Sequence, residues 1–108
     1  MTVIEEQVQY ETIRYLNASL HPQSSFDVFK QNLAAYINEL INYDFEKLIH
    51  LLYRIDVSEQ KLKSFLANQQ ANAGNIIAAL IIERQLQKIK TREQFKQRDN
   101  NFDEEEYW

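Results

Sequence analysis

The chain has 108 residues, with one glycine, one proline, no cysteine and a formal net charge of −4. The lack of cysteine excludes disulfides, thiol nucleophiles and thiolate metal sites. Hairpins, barrels and phosphate-binding loops need residues that tolerate tight turns, so this composition excludes dinucleotide-binding and P-loop folds and predicts an all-α protein. We expect a small helical bundle of four to five helices in residues 1–98, followed by an acidic, aromatic tail in residues 99–108.

Two helices are predicted in the first forty residues. Apolar residues at helical spacing predict a first helix over residues 3–17. It ends before His21-Pro22, because the residue before a proline is pushed out of the α region. The motif Ser24-x-x-Asp27 predicts a capping box for the second helix, whose apolar face recurs every three or four residues as far as Leu40.

The apolar phase runs unbroken through residues 25–55, which leaves open whether they form one helix or two. Asn42-Tyr43-Asp44 is poor helix material, and one helix of about 30 residues would be long against the usual ~12. Asp44 is able to cap a following helix, with Tyr43 packed on Leu48 as a hydrophobic staple. We therefore expect a break at residues 42–44.

The third helix is predicted to bury one wide apolar face. That face consists of Phe45, Leu48, Ile49, Leu51, Leu52 and Ile55. A short fourth helix is predicted over residues 58–68, with Ser58 as its N-cap and a staple between Val57 and Leu62.

One long helix is predicted over residues 73–98, about 39 Å at 1.5 Å per residue. Its first turns, from Ile76 to Ile82, are apolar on several sides and predict burial. Fewer apolar residues follow, and they lie on one face. We therefore expect the second half of this helix to project from the bundle.

Charge is unevenly distributed towards the end of the chain: residues 84–98 carry a net +5 and residues 99–108 a net −5. The candidate basic patch consists of Arg84, Lys88, Lys90, Arg92, Lys96 and Arg98. Such a helix is suited to neutralise phosphates, which gives a nucleic-acid-associated regulatory module as the alternative function. Because the whole chain is acidic, the opposing interpretation is a solvated helix balanced by the acidic tail folding back.

The leading functional prediction is a non-enzymatic protein–protein interaction or oligomerisation module. The candidate interaction residues are Leu86, Ile89, Phe95, Tyr107 and Trp108. Leu86 and Ile89 would leave apolar area on the projecting half that a monomer seldom exposes, so we expect a homodimer or another protein as partner. The acidic run ending in Tyr107-Trp108 has the features of a docking peptide. The interpretations left open are a disordered end and a Trp108 that tucks into its own domain or a twin subunit.

No catalytic, cofactor or metal site is predicted. Di-metal bundles need Glu-x-x-His pairs, which this sequence lacks, and Glu46 with His50 indicates a structural ion pair. No serine lies in a glycine-flanked elbow, no apolar run approaches the ~20 residues of a membrane span, and the N-terminus is acidic where a signal peptide is basic. We expect a bacterial-type cytoplasmic protein with no membrane partner. An enzyme or carrier with a pocket between helices is the third interpretation.

Two strings, DFEKLIHLLYRIDVSEQKLKSFL and GNIIAALIIERQLQKIKTREQF, resemble a family of short bacterial proteins of unassigned function. The family shares the block LLYRIDVSE-x-KL followed by LI-x-ERQ-x-QKIKTR, and the resemblance covers residues 44–95. It implies a soluble, all-helical protein and no activity. The polar positions to test within the block are Arg54, Asp56, Glu83, Arg84, Lys88 and Arg92. Arg54 with Asp56, and Glu83 with Arg84, are expected to be ion pairs that lock helix to helix rather than a ligand site.

Overall fold

The protein is described by a computed structural model over residues 1–16, 20–68 and 72–106, with the backbone alone for residues 65, 66, 68 and 97–106. In these ranges the chain forms five helices and no strand: α1 (Val3–Leu16), α2 (Phe26–Tyr43), α3 (Phe45–Ile55), α4 (Glu59–Asn68) and α5 (Ala73–Glu106). The predicted all-α bundle with a long final helix is confirmed. None of the described helices is long and apolar enough to cross a membrane.

The core lies between α2 and the first half of α5, and α1 and α3 close its sides. On α2 the buried face repeats every three or four residues, as a helical stripe must. Its central side chains and those they meet from α3 and α5 are fully buried. They are Phe29, Leu33, Ile37, Ile55 and Ile81, each 0% exposed.

Asp44 separates α2 from α3, so the predicted break is confirmed. Its backbone N–H donates to Leu40 O at 2.9 Å, which ends α2, and its carboxylate accepts from Lys47 N at 3.2 Å, which begins α3. One residue thus satisfies backbone groups at two helix ends. The staple predicted between Tyr43 and Leu48 is wrong, because Tyr43 is 86% exposed while Leu48 is buried.

Serine side chains cap the first turns of α4 and α2. Ser58 caps α4 as predicted, since Lys61 N donates to its hydroxyl at 3.3 Å. The cap of α2 is Ser25 instead of Ser24: Ser25 is extended and its hydroxyl accepts from Val28 N. The predicted capping box is wrong, because Val28 at the third helical position has no polar side chain to bond back to the cap.

α1 begins with a capping box that was not predicted. Glu5 N donates to the Thr2 hydroxyl at 3.1 Å, and Thr2 N donates back to the Glu5 carboxylate at 2.8 Å. The sequence pattern Thr-x-x-Glu at residues 2–5 predicts this arrangement.

α5 divides into a proximal half, residues 73–89, and a distal half, residues 90–106. Ile89 is 2% exposed, and every side chain described beyond it, from residue 90 to residue 96, is exposed. The protein measures 58 × 32 × 22 Å, and its radius of gyration is 16.4 Å, against about 13 Å for a compact chain of this length. The distal half therefore projects, as predicted.

The helix also runs past its predicted end at residue 98, as far as Glu106. Because residues 99–106 continue along the same helix, they do not fold back over the basic segment that precedes them. Tyr107 and Trp108 lie outside the described residues.

Candidate interaction surfaces

The side of α5 that meets α1 carries two cations of the predicted basic patch. Lys88 Nζ lies 4.7 Å from the centre of the Tyr15 ring and donates to the Tyr15 hydroxyl at 3.2 Å. One turn further along, Arg92 Nη2 lies 2.9 Å from the Glu11 carboxylate. These cations hold α1 against α5, so they have partners within the protein.

Arg84 fastens α5 to the corner between α3 and α4. Its Nη2 lies 3.1 Å from Asp56 Oδ2. Asp56 ends α3 in the left-handed conformation, with a φ of 68°, and its backbone N–H donates to the Leu52 carbonyl at 3.0 Å. Aspartate is among the few residues besides glycine that tolerate this conformation.

A second ion pair at this corner joins Lys61 Nζ to Glu83 Oε1 at 3.0 Å. The predicted pairs, Arg54 with Asp56 and Glu83 with Arg84, thus have the wrong partners, although ion pairs do lock helix to helix. The reason is geometric, since residues one or two positions apart on a helix do not face each other. The notch between the two pairs holds about 150 Å³, below the ~300 Å³ at which ligand pockets begin.

The predicted interaction residues of α5 do not form one exposed face. Ile89 is buried and Leu86 is half-buried, so the apolar area expected there is closed. The prediction that Ile89 is exposed is wrong, because α1 packs on this side of α5. Phe95 is 56% exposed, as an interaction residue requires. Tyr107, Trp108 and the Arg98 side chain lie outside what the structure describes.

An open groove of about 640 Å³ lies between α1 and α5; we call it the α1–α5 groove. It is lined by Gln7, Tyr10, Glu11, Arg14, Ile89, Thr91, Arg92, Glu93, Phe95 and Lys96. Two aromatic side chains in its lining, Tyr10 and Phe95, are more than half exposed. Three cations and two carboxylates complete a mixed apolar and charged surface.

The second exposed apolar surface is the outer face of α3, formed by Phe45, Ile49 and Tyr53, with Tyr43 just before the helix. The first three are spaced by four residues, so they lie one turn apart along one side of the helix. Their exposed fractions are 57%, 46% and 86%, and that of Tyr43 is 86%.

Phe45 and Ile49 were predicted to lie in the buried face of α3, which is wrong. Leu48, Leu51, Leu52 and Ile55 fill that face. The apolar residues of α3 cover more of its circumference than its neighbours in the bundle do, and this excess width was a signal for an exposed site.

No metal centre appears in the described ranges, where no group of three or more histidine, aspartate or glutamate side chains is placed to hold an ion. Glu46 and His50, expected to be an ion pair, are both exposed and do not pair within the described part of the chain.

No protein-family model matches the chain, and searches of curated proteins and of solved structures find no match either. The resemblance of residues 44–95 to a bacterial family therefore stays a prediction.

Proposed function

We propose that the chain is a non-enzymatic protein–protein interaction module that docks a partner on the outer face of α3. The observation that carries the proposal is the line of Phe45, Ile49 and Tyr53, exposed one turn apart along one helix. Isolated exposed apolar residues are ordinary, but a contiguous patch marks an interaction site. Aromatic side chains are also enriched among the residues that carry binding energy.

The packing of the inner side of α3 on the core favours docking on its outer face. Leu48, Leu52 and Ile55 fix the inner side of α3 in the core, with exposed fractions of 1%, 5% and 0%. Asp44 and Asp56 cap its two ends. A partner would therefore meet a preformed helix, and little conformational entropy would be lost from its backbone on binding.

We also propose a bacterial cytoplasmic setting, which is supported by the resemblance of residues 44–95 to short bacterial proteins. The partner on α3 is another protein that presents an apolar surface.

The test replaces the outer face of α3 with serine, as the triple variant Phe45→Ser, Ile49→Ser, Tyr53→Ser. Wild type and variant are immobilised, and the proteins each retains from a bacterial lysate are quantified by mass spectrometry. We expect retention of a specific partner to fall at least about tenfold, as for loss of central interface residues. The matched control is Val3→Ser, which removes a side chain that is 73% exposed on α1.

All three proteins must be folded at the temperature of the assay, as thermal unfolding measures. The triple variant should unfold at a lower temperature than wild type, because Phe45 and Ile49 are only 57% and 46% exposed and lose buried apolar area. A triple variant that is folded and retains the same proteins in the same amounts as wild type would overturn the proposal.

The nucleic-acid alternative has support in Lys90 and Lys96, which are exposed on either side of Phe95 in the sequence. Arg84, Lys88 and Arg92 have partners within the protein, which weakens it. Several phosphate contacts predict a slope of several units in log affinity against log salt concentration. A slope near zero would dispose of the alternative.

A further inference from the structure

From residue 84 onwards, α5 carries two blocks of opposite charge. The basic block is residues 84–98, with a net +5, and the acidic block is residues 99–106, with a net −5. Both lie in one helix, Ala73–Glu106. At 1.5 Å per residue their centres are about 17 Å apart along its axis. Apart from the residues at the boundary, the two blocks cannot neutralise each other within one chain.

The basic block is open to a partner beyond the edge of α1. Lys90, Phe95 and Lys96 are exposed, and Phe95 keeps 56% of its surface in solvent. Arg92 also keeps 60% of its side chain exposed although it pairs with Glu11. The surface that remains is a cationic helix carrying an aromatic ring, and an acidic helix is complementary to it.

We propose that two copies of the chain pair through α5 in antiparallel orientation, so that the acidic block of each lies along the basic block of the other. A parallel arrangement would set each block against its own copy and is repulsive. The antiparallel arrangement has two-fold symmetry and a self-complementary interface. This inference extends the proposed interaction function to a second partner, a copy of the chain, and uses a different helix.

Several antiparallel registers set the whole acidic block opposite residues of the basic block, and the one with its two-fold axis between residues 98 and 99 is singled out by an apolar contact. It sets position 95 of one copy opposite position 102 of the other, and both positions are phenylalanine. Phe95 and position 102 are seven residues apart, which keeps them on one side of a helix. The apolar contact and the charge pairing therefore share a register.

The first test is the mass of the full chain by light scattering coupled to size exclusion, with two charge-reversal variants. The first is Asp103→Lys, Glu104→Lys, Glu105→Lys, and the second is Lys90→Glu, Lys96→Glu, Arg98→Glu. The second variant leaves Lys88 and Arg92 intact, because they hold α1. We expect wild type to be a dimer at about 0.05 M salt. The affinity of the two copies for each other should fall by about tenfold or more at about 1 M salt, where the Debye length is ~3 Å.

We expect each charge-reversal variant alone to be a monomer, and an equal mixture of the two to form a heterodimer. Such restoration requires direct pairing of the two blocks, because two independent folding defects would not correct each other. A wild-type monomer at low salt would overturn the proposal, and so would charge-reversal variants that remain dimers on their own.

Orientation is tested with a short thiol-to-thiol crosslinker, which is specific because the natural chain has no cysteine. We expect Phe95→Cys mixed with Phe102→Cys to crosslink and Phe95→Cys alone to fail, since two copies of position 95 would lie about 10 Å apart along the axis. Efficient crosslinking of Phe95→Cys alone would show a parallel pair and overturn the proposal.

The triple serine variant of α3 separates this inference from the proposed function. It should still form the α5 dimer after losing its α3 partner. A dimer that disappears with the α3 variant while both charge-reversal variants stay dimeric would place self-association on α3 and overturn pairing through α5.

Discussion

The two halves of α5 belong to one continuous helix and differ in how far their side chains are buried. In the proximal half, Ile77 and Ile81 enter the core, with exposed fractions of 3% and 0%. In the distal half, no side chain is buried from residue 90 to residue 96. Packing fixes which residues the first half can contain. The second half is rich in lysine, arginine, glutamate and glutamine, which have high helix propensity, and no packing restricts its surface chemistry.

The largest expected effect lies in the proximal half. Ile81→Ala should lower the free energy of unfolding by about 2–5 kcal/mol, because it leaves a cavity at a fully buried site. Phe95→Ala, in the distal half, should change it by less than about 0.5 kcal/mol. Chemical denaturation at high salt measures both without the contribution of the dimer. Equal losses for the two variants would mean that the halves do not differ as described.

The next effect has the opposite sign. Gln85 is 1% exposed, and neither atom of its side-chain amide has a hydrogen-bond partner in the described part of the chain. Replacing an unpaired buried polar group with an apolar one of similar volume removes its desolvation penalty. Gln85→Leu should therefore raise the free energy of unfolding by about 1–3 kcal/mol.

Gln9 is the matched control, since it is also 1% exposed. Its amide donates to Gln23 O at 3.0 Å and accepts from Gln23 N at 2.7 Å. Gln9→Leu should therefore destabilise the protein, as judged by the same denaturation curves. If both leucine variants shift stability in one direction, hydrogen bonding does not explain the difference between the two glutamines.

A smaller effect is expected where α1 meets the boundary between the halves. A double-mutant cycle of Tyr15→Leu with Lys88→Met should give a coupling energy of about 0.5–1 kcal/mol, from the cation over the ring. Tyr15→Phe keeps the ring and loses the hydroxyl that accepts from Lys88, so it should retain part of that coupling. A control cycle with Lys90→Met in place of Lys88→Met should give no coupling energy, because Lys88 is the lysine that contacts the Tyr15 ring.

The smallest effect belongs to the ion pair between Glu11 and Arg92. Arg92 is 60% exposed, so solvent screens the pair and its coupling should be about 0.2–1 kcal/mol at low salt. A double-mutant cycle of Glu11→Gln with Arg92→Gln measures this coupling energy, which should approach zero at about 1 M salt. A coupling that persists at high salt would show that the pair is shielded from solvent.

Features set by neighbouring residues were predictable from sequence. The break at Asp44 and the cap at Ser58 depend on side chains that reach backbone groups three residues away. The burial of Ile89 was not predictable in this way, because it depends on α1, which lies more than seventy residues earlier in the chain. The same limit applies to Arg84, whose partner at Asp56 is 28 residues away.

The exposed face of α3 shows a second limit. Periodicity identifies an apolar stripe and cannot say how much of its width neighbouring helices will cover. Leu48 and Ile49 are adjacent and similar in volume, yet one is 1% exposed and the other 46%. That difference arises from tertiary packing, which places α3 with one side on the core and the other in solvent.

α1 meets α5 across some of the longest sequence separations in the protein, 73 residues between Tyr15 and Lys88 and 81 between Glu11 and Arg92. Closing a loop of that length costs on the order of 4 kcal/mol of chain entropy before any contact forms. The contacts between α2 and its neighbour α3 close much shorter loops. The contact between α1 and α2, where Gln9 bonds Gln23 only 14 residues away, shortens that loop once α2 is packed on α5. The α1–α5 groove exists only while α1 is in place.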